Sequence, residues 1–137
     1  MRRRDLVIAA AVVPYTAVKG TAANSAVTVG LLGSGNRGTY VAGLFAKNTS
    51  ARIVALCDVF EEKMERAKKS IGLEGPTTTK DFHQMLAGDI DAVIIATPVF
   101  LHPEHFEAAV KAGKHIYIEK PAAVDVEGCR RIMRAAD

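Results

Sequence analysis

The sequence predicts an α/β fold, a doubly wound parallel sheet with helices on both faces. Three observations predict it. Short apolar runs alternate with amphipathic stretches from Val27 onward. The first apolar run opens directly into a glycine turn, and the second closes on an aspartate. A later run, Ala92-Val93-Ile94-Ile95-Ala96, is rich in β-branched residues and lies between Asp91 and Thr97-Pro98, as a strand covered on both faces should.

The elements follow in order. Residues 1–25 read as a targeting segment rather than as fold. Arg2, Arg3 and Arg4 precede the apolar run Leu6–Val13, which is too short for a stable membrane span, and small residues follow it at 21–26. Arg3-Arg4-Asp5-Leu6-Val7 resembles a twin-arginine export signal, although Leu6 stands where Phe is most usual. The expectation is a periplasmic or secreted protein, with a cytoplasmic one as the alternative. No lipobox-like cysteine stands directly after the apolar run, so no stable membrane anchor is expected.

Residues 26–137 read as one domain. Val27–Leu32 is the first strand, and residues 38–47 a helix carrying Val41, Leu44 and Phe45 at helical spacing. Ile53–Cys57 is the second strand, ending at Asp58. Residues 61–71 form a charged helix with Met64, Ala67, Lys68 and Ile71 on one side, closed by Gly72 and Gly75-Pro76. Thr77–Thr79 is a short strand and 81–86 a short helix. The strand at 92–96 is followed by a helix at 103–112, with Pro103 near its start and Gly113 past its end. His115–Glu119 is the fifth strand and 125–136 the last helix. The expected strand order is 3-2-1-4-5-6, cut before strand six.

Composition excludes some classes. The chain has 137 residues, 49% of them hydrophobic and 24% charged, which is the range of an ordinary globular domain and not of a disordered one. The net charge of +3 belongs to the leader: beyond residue 25 basic and acidic residues balance, so no nucleic-acid surface is expected. Cys57 and Cys129 lie far apart without a CxxC or histidine cluster. They read as buried free thiols, with neither a metal site nor a disulfide.

Gly33-Ser34-Gly35-Asn36-Arg37-Gly38 is a GxGxxG placed after a strand and at the start of a helix, where its mechanism needs it. Gly33 allows the tight turn, Gly35 lets a pyrophosphate approach the backbone, and Gly38 lets helix and strand pack closely. The helix N-terminus offers free N–H groups to phosphates. Asp58 stands where a carboxylate would accept from the adenine-ribose hydroxyls. It would repel a 2′-phosphate, so NAD is favoured. Arg37 and Arg52 are candidate phosphate partners and keep NADP open. Methyltransferases that bind S-adenosylmethionine share this glycine turn and acidic residue, so a later motif must decide between the two.

That motif is Glu119-Lys120-Pro121, which follows the fifth strand at the edge where ligands bind in such sheets. With it, residues 27–137 resemble the N-terminal domain of the glucose–fructose oxidoreductase, inositol dehydrogenase and MocA family. The resemblance rests on the glycine loop, Asp58, Asp91–Pro98, His102 and, above all, Ala112–Pro121. It implies a Rossmann-type NAD(P)-binding domain followed by an α+β substrate domain that this chain lacks. It also implies hydride transfer to or from a sugar or polyol, with Lys120 beside the reacting hydroxyl as the catalytic residue. Glu119 would orient Lys120, Pro121 would fix the backbone and could form a cis peptide, and Thr97, Pro98 and His102 would lie by the cofactor. Val99 and Phe100 depart from the Asn and His common there. His102 reads equally as a cap of the helix that follows, and His83, His105 and His115 are given no role. Two alternatives remain: an NAD-dependent glycoside hydrolase of the same family, and a non-catalytic NAD-binding module. The full-length form is expected to be a homo-oligomer.

Overall fold

A computed structural model of the protein describes residues 26–137. The segment at 1–25, on which the export expectation rests, lies outside them. Five strands form one sheet: β1 (Thr28–Leu32), β2 (Arg52–Cys57), β3 (Thr77–Thr79), β4 (Ala92–Ile95) and β5 (His115–Ile118). Their order is β3-β2-β1-β4-β5 and every pairing is parallel, as the sequence predicts. The helices are α1 (Asn36–Asn48), α2 (Glu61–Ile71), α3 (Phe82–Leu86), α4 (His102–Lys111) and α5 (Val126–Ala136), with a single 3-10 turn at Val99–Leu101. Among the described residues, no helix is long and apolar enough to cross a membrane.

The pleat sorts the strands' side chains into two cores, one on each face. Val29, Leu31 and Ile94 pack with Val41 and Ala42 of α1 and with Met64 and Ala67 of α2. Leu32, Val93 and Ile95 pack the other way, with Met85 and Leu86 of α3 and Ala109 of α4. In β2 the alternation slips. Ile53 and Leu56 share the first face while Ala55 and Cys57 share the second. The cause is a register shift against β1 between Val29 and Gly30, where the partner moves from Ile53 to Ala55. The inserted residue restores the alternation beyond it and brings β2 to its end with Cys57 inward and Asp58 at the carboxyl edge.

One sequence expectation fails here. Cys57 is buried, but Cys129 is exposed, because Gly128 is the only residue of α5 buried among those described. Burial, with the Asp58 carboxylate adding to it, pushes the Cys57 thiol up to about 11. A thiolate-directed reagent at pH 8 is therefore expected to label Cys129 alone in the native protein and both cysteines after denaturation. Rapid native labelling of Cys57 would contradict the packing of β2.

Candidate functional site

The carboxyl ends of β1, β2, β4 and β5 meet at one edge of the sheet, and the turn after β1 crosses it. Gly33 has φ 94°, and a Cβ there would stand 2.6 Å from the Ala96 carbonyl oxygen. Its N–H donates to the Cys57 carbonyl at 2.8 Å. Helix α1 begins at Asn36 with Gly35 as its cap and no side chain capping it. The sequence places its start two residues later, at Gly38. The last half of the glycine motif is thus the helix's first turn, whose N–H groups open toward solvent or a ligand. By contrast, Asp81 and Asp125 cap α3 and α5. A Cβ on Gly35 would meet nothing within 4 Å, so the space above the loop is open.

Asp58 closes the loop from the other side. The Ser34 N–H donates to its Oδ2 at 2.9 Å and the Phe60 N–H to its Oδ1 at 3.0 Å. Beside it lies a cavity of about 370 Å³. Gly33 and Gly35 line it on one side, Asp58 and Phe60 on another, and Thr97, Pro98 and Phe100 on a third. Phe60 and Phe100 are exposed and give it apolar walls. A planar base would cover these walls, while the Asp58 carboxylate would meet a sugar's hydroxyls.

The Glu119-Lys120-Pro121 turn reaches the same edge, with a different partnership from the one expected. The expected charge-assisted bond from Lys120 to Glu119 is replaced. Arg37 Nη2 donates to Glu119 Oε1 at 2.9 Å, and the Tyr117 hydroxyl donates to the same oxygen at 3.2 Å. Glu119 is only 6% exposed. The hydrogen bond from Arg37 holds its carboxyl below the ordinary carboxylate range, against the opposing effect of burial. Arg37 therefore binds the glycine loop to β5 and is not directed at a phosphate near Asp58. Nor is Arg52 available to one. As the first residue of β2 it stands at the amino edge of a parallel sheet, the end opposite the site. Lys120 is exposed beside Glu119, and the Lys120–Pro121 peptide is cis.

His102 neither caps a helix nor faces the cavity. The residue is 1% exposed and its ring lies between two carbonyls, with Nε2 3.0 Å from that of Thr97 and Nδ1 2.9 Å from that of Pro121. It ties the turn after β4 to the turn after β5. Sequence reasoning missed His105. Its Nδ1 lies 2.9 Å from the Thr97 hydroxyl, and it lines the cavity. Burial pushes its imidazole below the ordinary value near 6.5, so the ring is neutral at pH 7.

A parallel sheet in this order, with an uncapped helix behind a glycine turn and a carboxylate at the end of β2, defines a Rossmann-type nucleotide-binding domain. Residues 27–137 match the oxidoreductase family with an NAD-binding Rossmann fold, that of glucose–fructose oxidoreductase, inositol dehydrogenase and MocA, and the chain belongs to it. An inositol 2-dehydrogenase from Rhizobium meliloti (strain 1021) is 38% identical over 108 residues, covering 79% of this chain and 32% of that protein. A glycosyl hydrolase family 109 protein from Streptomyces niveus is 39% identical over 111 residues, covering 75% of this chain and 22% of that protein. Scyllo-inositol dehydrogenase from Lactobacillus casei, solved with bound NAD(H) and scyllo-inositol, superposes with a TM-score of 0.70 at 32% identity, over 81% of this chain and 34% of that one. The chain therefore spans between about a fifth and about a third of the length of these proteins.

Proposed function

We propose that this NAD-binding domain serves an enzyme that moves hydride between NAD and a hydroxyl-bearing carbohydrate or polyol. The observation that carries the reading is the Asp58 carboxylate held against the glycine loop at the mouth of an apolar-walled cavity. The residues present fit the cofactor. The uncapped first turn of α1 would take the pyrophosphate, Gly35 leaves its approach open, Asp58 would accept from the adenine ribose, and Phe60, Pro98 and Phe100 would wall the base. When bound, the nicotinamide supplies the hydride acceptor or donor.

The chain's own contribution to the chemistry is a proton site and its support. Lys120 stands exposed at the sheet edge and would exchange the proton of the substrate hydroxyl at Nζ. There it would serve as general base or general acid for that hydroxyl. Arg37, Glu119 and His102 fix the two turns that flank it. The similarity to a glycosyl hydrolase family 109 protein supports a second reading, in which the same hydride step serves a transient oxidation during glycoside cleavage. Net NADH accumulates under the first reading and not under the second.

Calorimetric titration of the protein with NAD tests the shared basis, with S-adenosylmethionine as the comparator. Saturable binding of NAD and none of S-adenosylmethionine is expected. A folded protein that takes up no NAD sinks both readings.

A further inference from the structure

Arg37 brings two kinds of contact together in one residue. It is the second residue of α1, so its backbone N–H belongs to the uncapped first turn and has no acceptor within the helix. Its side chain leaves the helix and crosses to the end of β5, where Nη2 donates to Glu119 Oε1 at 2.9 Å. Of the four ion pairs among the described residues, only this one has a buried carboxylate. The Glu119 side chain is 7% exposed, whereas the carboxylates of the other three are 38% to 76% exposed. Exposed pairs contribute little, but removing the partner of a buried charge leaves that charge uncompensated. Tyr40, three residues along α1, lies against the guanidinium, with its ring centroid 5.6 Å from Cζ.

The residue after Glu119 is Lys120, and both of its neighbours are held. Glu119 accepts from Arg37 and from the Tyr117 hydroxyl, and the Pro121 carbonyl lies against the His102 ring. Lys120 itself forms no ion pair among the described residues, yet its backbone N–H favours the ionised Glu119 carboxyl. Arg37 therefore reaches the Lys120 backbone through one carboxylate. We propose that Arg37 is a positioning residue: acting through Glu119, it transmits occupation of the α1 N-terminus to the Lys120 turn. This rests on the reading of α1 as the pyrophosphate site and of Lys120 as the proton site. An anion held by the first-turn N–H groups and the helix dipole fixes that turn, and with it the root of the Arg37 side chain. The Glu119 carboxylate is then held in one place, and the Lys120 N–H with it. The obvious objection is that a pyrophosphate would draw the guanidinium to itself. Glu119 opposes this, because its buried charge pairs with no other cation among the described residues.

Hydrogen exchange, read by mass spectrometry on the full chain, tests this with adenosine 5′-diphosphate. That ligand carries the pyrophosphate but not the nicotinamide riboside half that would stand beside Lys120. In the wild type, saturating adenosine diphosphate should slow exchange in the segment 119–123 about fivefold or more, the lower end of ordinary couplings between sites. Arg37→Met should abolish that slowing while the nucleotide still binds, which calorimetry and slowed exchange at the glycine loop both check. Glu119→Gln removes the charge at the other end and should behave in the same way. The contact is a single hydrogen bond, so an ammonium can replace it, and Arg37→Lys should restore part of the slowing. A merely structural Arg37 would speed exchange in Arg37→Met with and without nucleotide alike and leave their ratio at the wild-type value. That result overturns the proposal, and so does a slowing no greater in Arg37→Lys than in Arg37→Met. Wild-type exchange at 119–123 that the nucleotide leaves unchanged overturns it too, whether or not a variant folds. In each of these cases the pyrophosphate reading survives. If adenosine diphosphate does not bind the folded chain, the reading of α1 itself fails, and the proposal with it.

Discussion

Gly38→Ala is expected to destabilise the domain by about 3 kcal/mol or more, the upper end of the usual cost of overpacking. A Cβ at Gly38 would stand 1.9 Å from the Gly33 carbonyl oxygen and 3.2 Å from the Ala96 Cβ. The first of these is backbone, so no rotamer change relieves it. The turn at Gly33 would have to open, and its N–H bond to the Cys57 carbonyl would be lost with it. For a domain of this size the cost corresponds to a fall of roughly 12 °C in melting temperature. Gly43→Ala is the internal control. It lies on the same helix, but a Cβ there would meet nothing within 4 Å. With only helix propensity at stake, that substitution should stabilise by about 0.5–1 kcal/mol. Thermal melts of the two variants should therefore move in opposite directions. A Gly38→Ala melt within about 3 °C of wild type would show that the loop relaxes cheaply and that close packing of α1 on the glycine turn does not hold this edge together.

The same contrast explains what was legible in the sequence. The strands are legible because each carries its own local signal: Ala92–Ile95 is a β-branched run, and the glycine turn fixes where β1 must end. Helix limits are less so. Asn36 and Arg37 look like loop residues of a motif, yet they form the first turn of α1, since nothing in their side chains marks a cap. Pairings remote in sequence left no local signal at all. Arg37 and Glu119 are 82 residues apart, and each has a plausible nearby partner in sequence, which is why Lys120 seemed the natural one for Glu119. His102 was legible as a residue of importance, but its place between two carbonyls depends on where the β4 and β5 turns meet. Cys129 shows the converse: the burial preference of cysteine is an average, and α5 presents almost nothing to the core.

The largest effect on binding is expected at Asp58. Asp58→Asn keeps the shape of the side chain but removes the charge, and it puts an NH2 group where an acceptor stood. In the wild type one oxygen accepts from the Ser34 N–H and the other from the Phe60 N–H. The amide can accept through one atom only, so one of these N–H groups must face a donor. The glycine loop and the turn beyond β2 then compete for a single oxygen, and the ribose hydroxyls lose a charged acceptor. Hydrogen bonds to charged groups contribute about 1.5–3 kcal/mol, so NAD affinity should fall roughly 10- to 150-fold. The loss should be smaller for the 2′-phosphorylated dinucleotide, since the substitution also removes the charge that opposes its phosphate. The ratio of the two affinities, measured by calorimetry on wild type and variant, is therefore more telling than either value alone. An unchanged NAD affinity would mean that Asp58 only braces the loop. An equal loss for both dinucleotides would mean that its effect runs through the geometry of Ser34 and not through its charge.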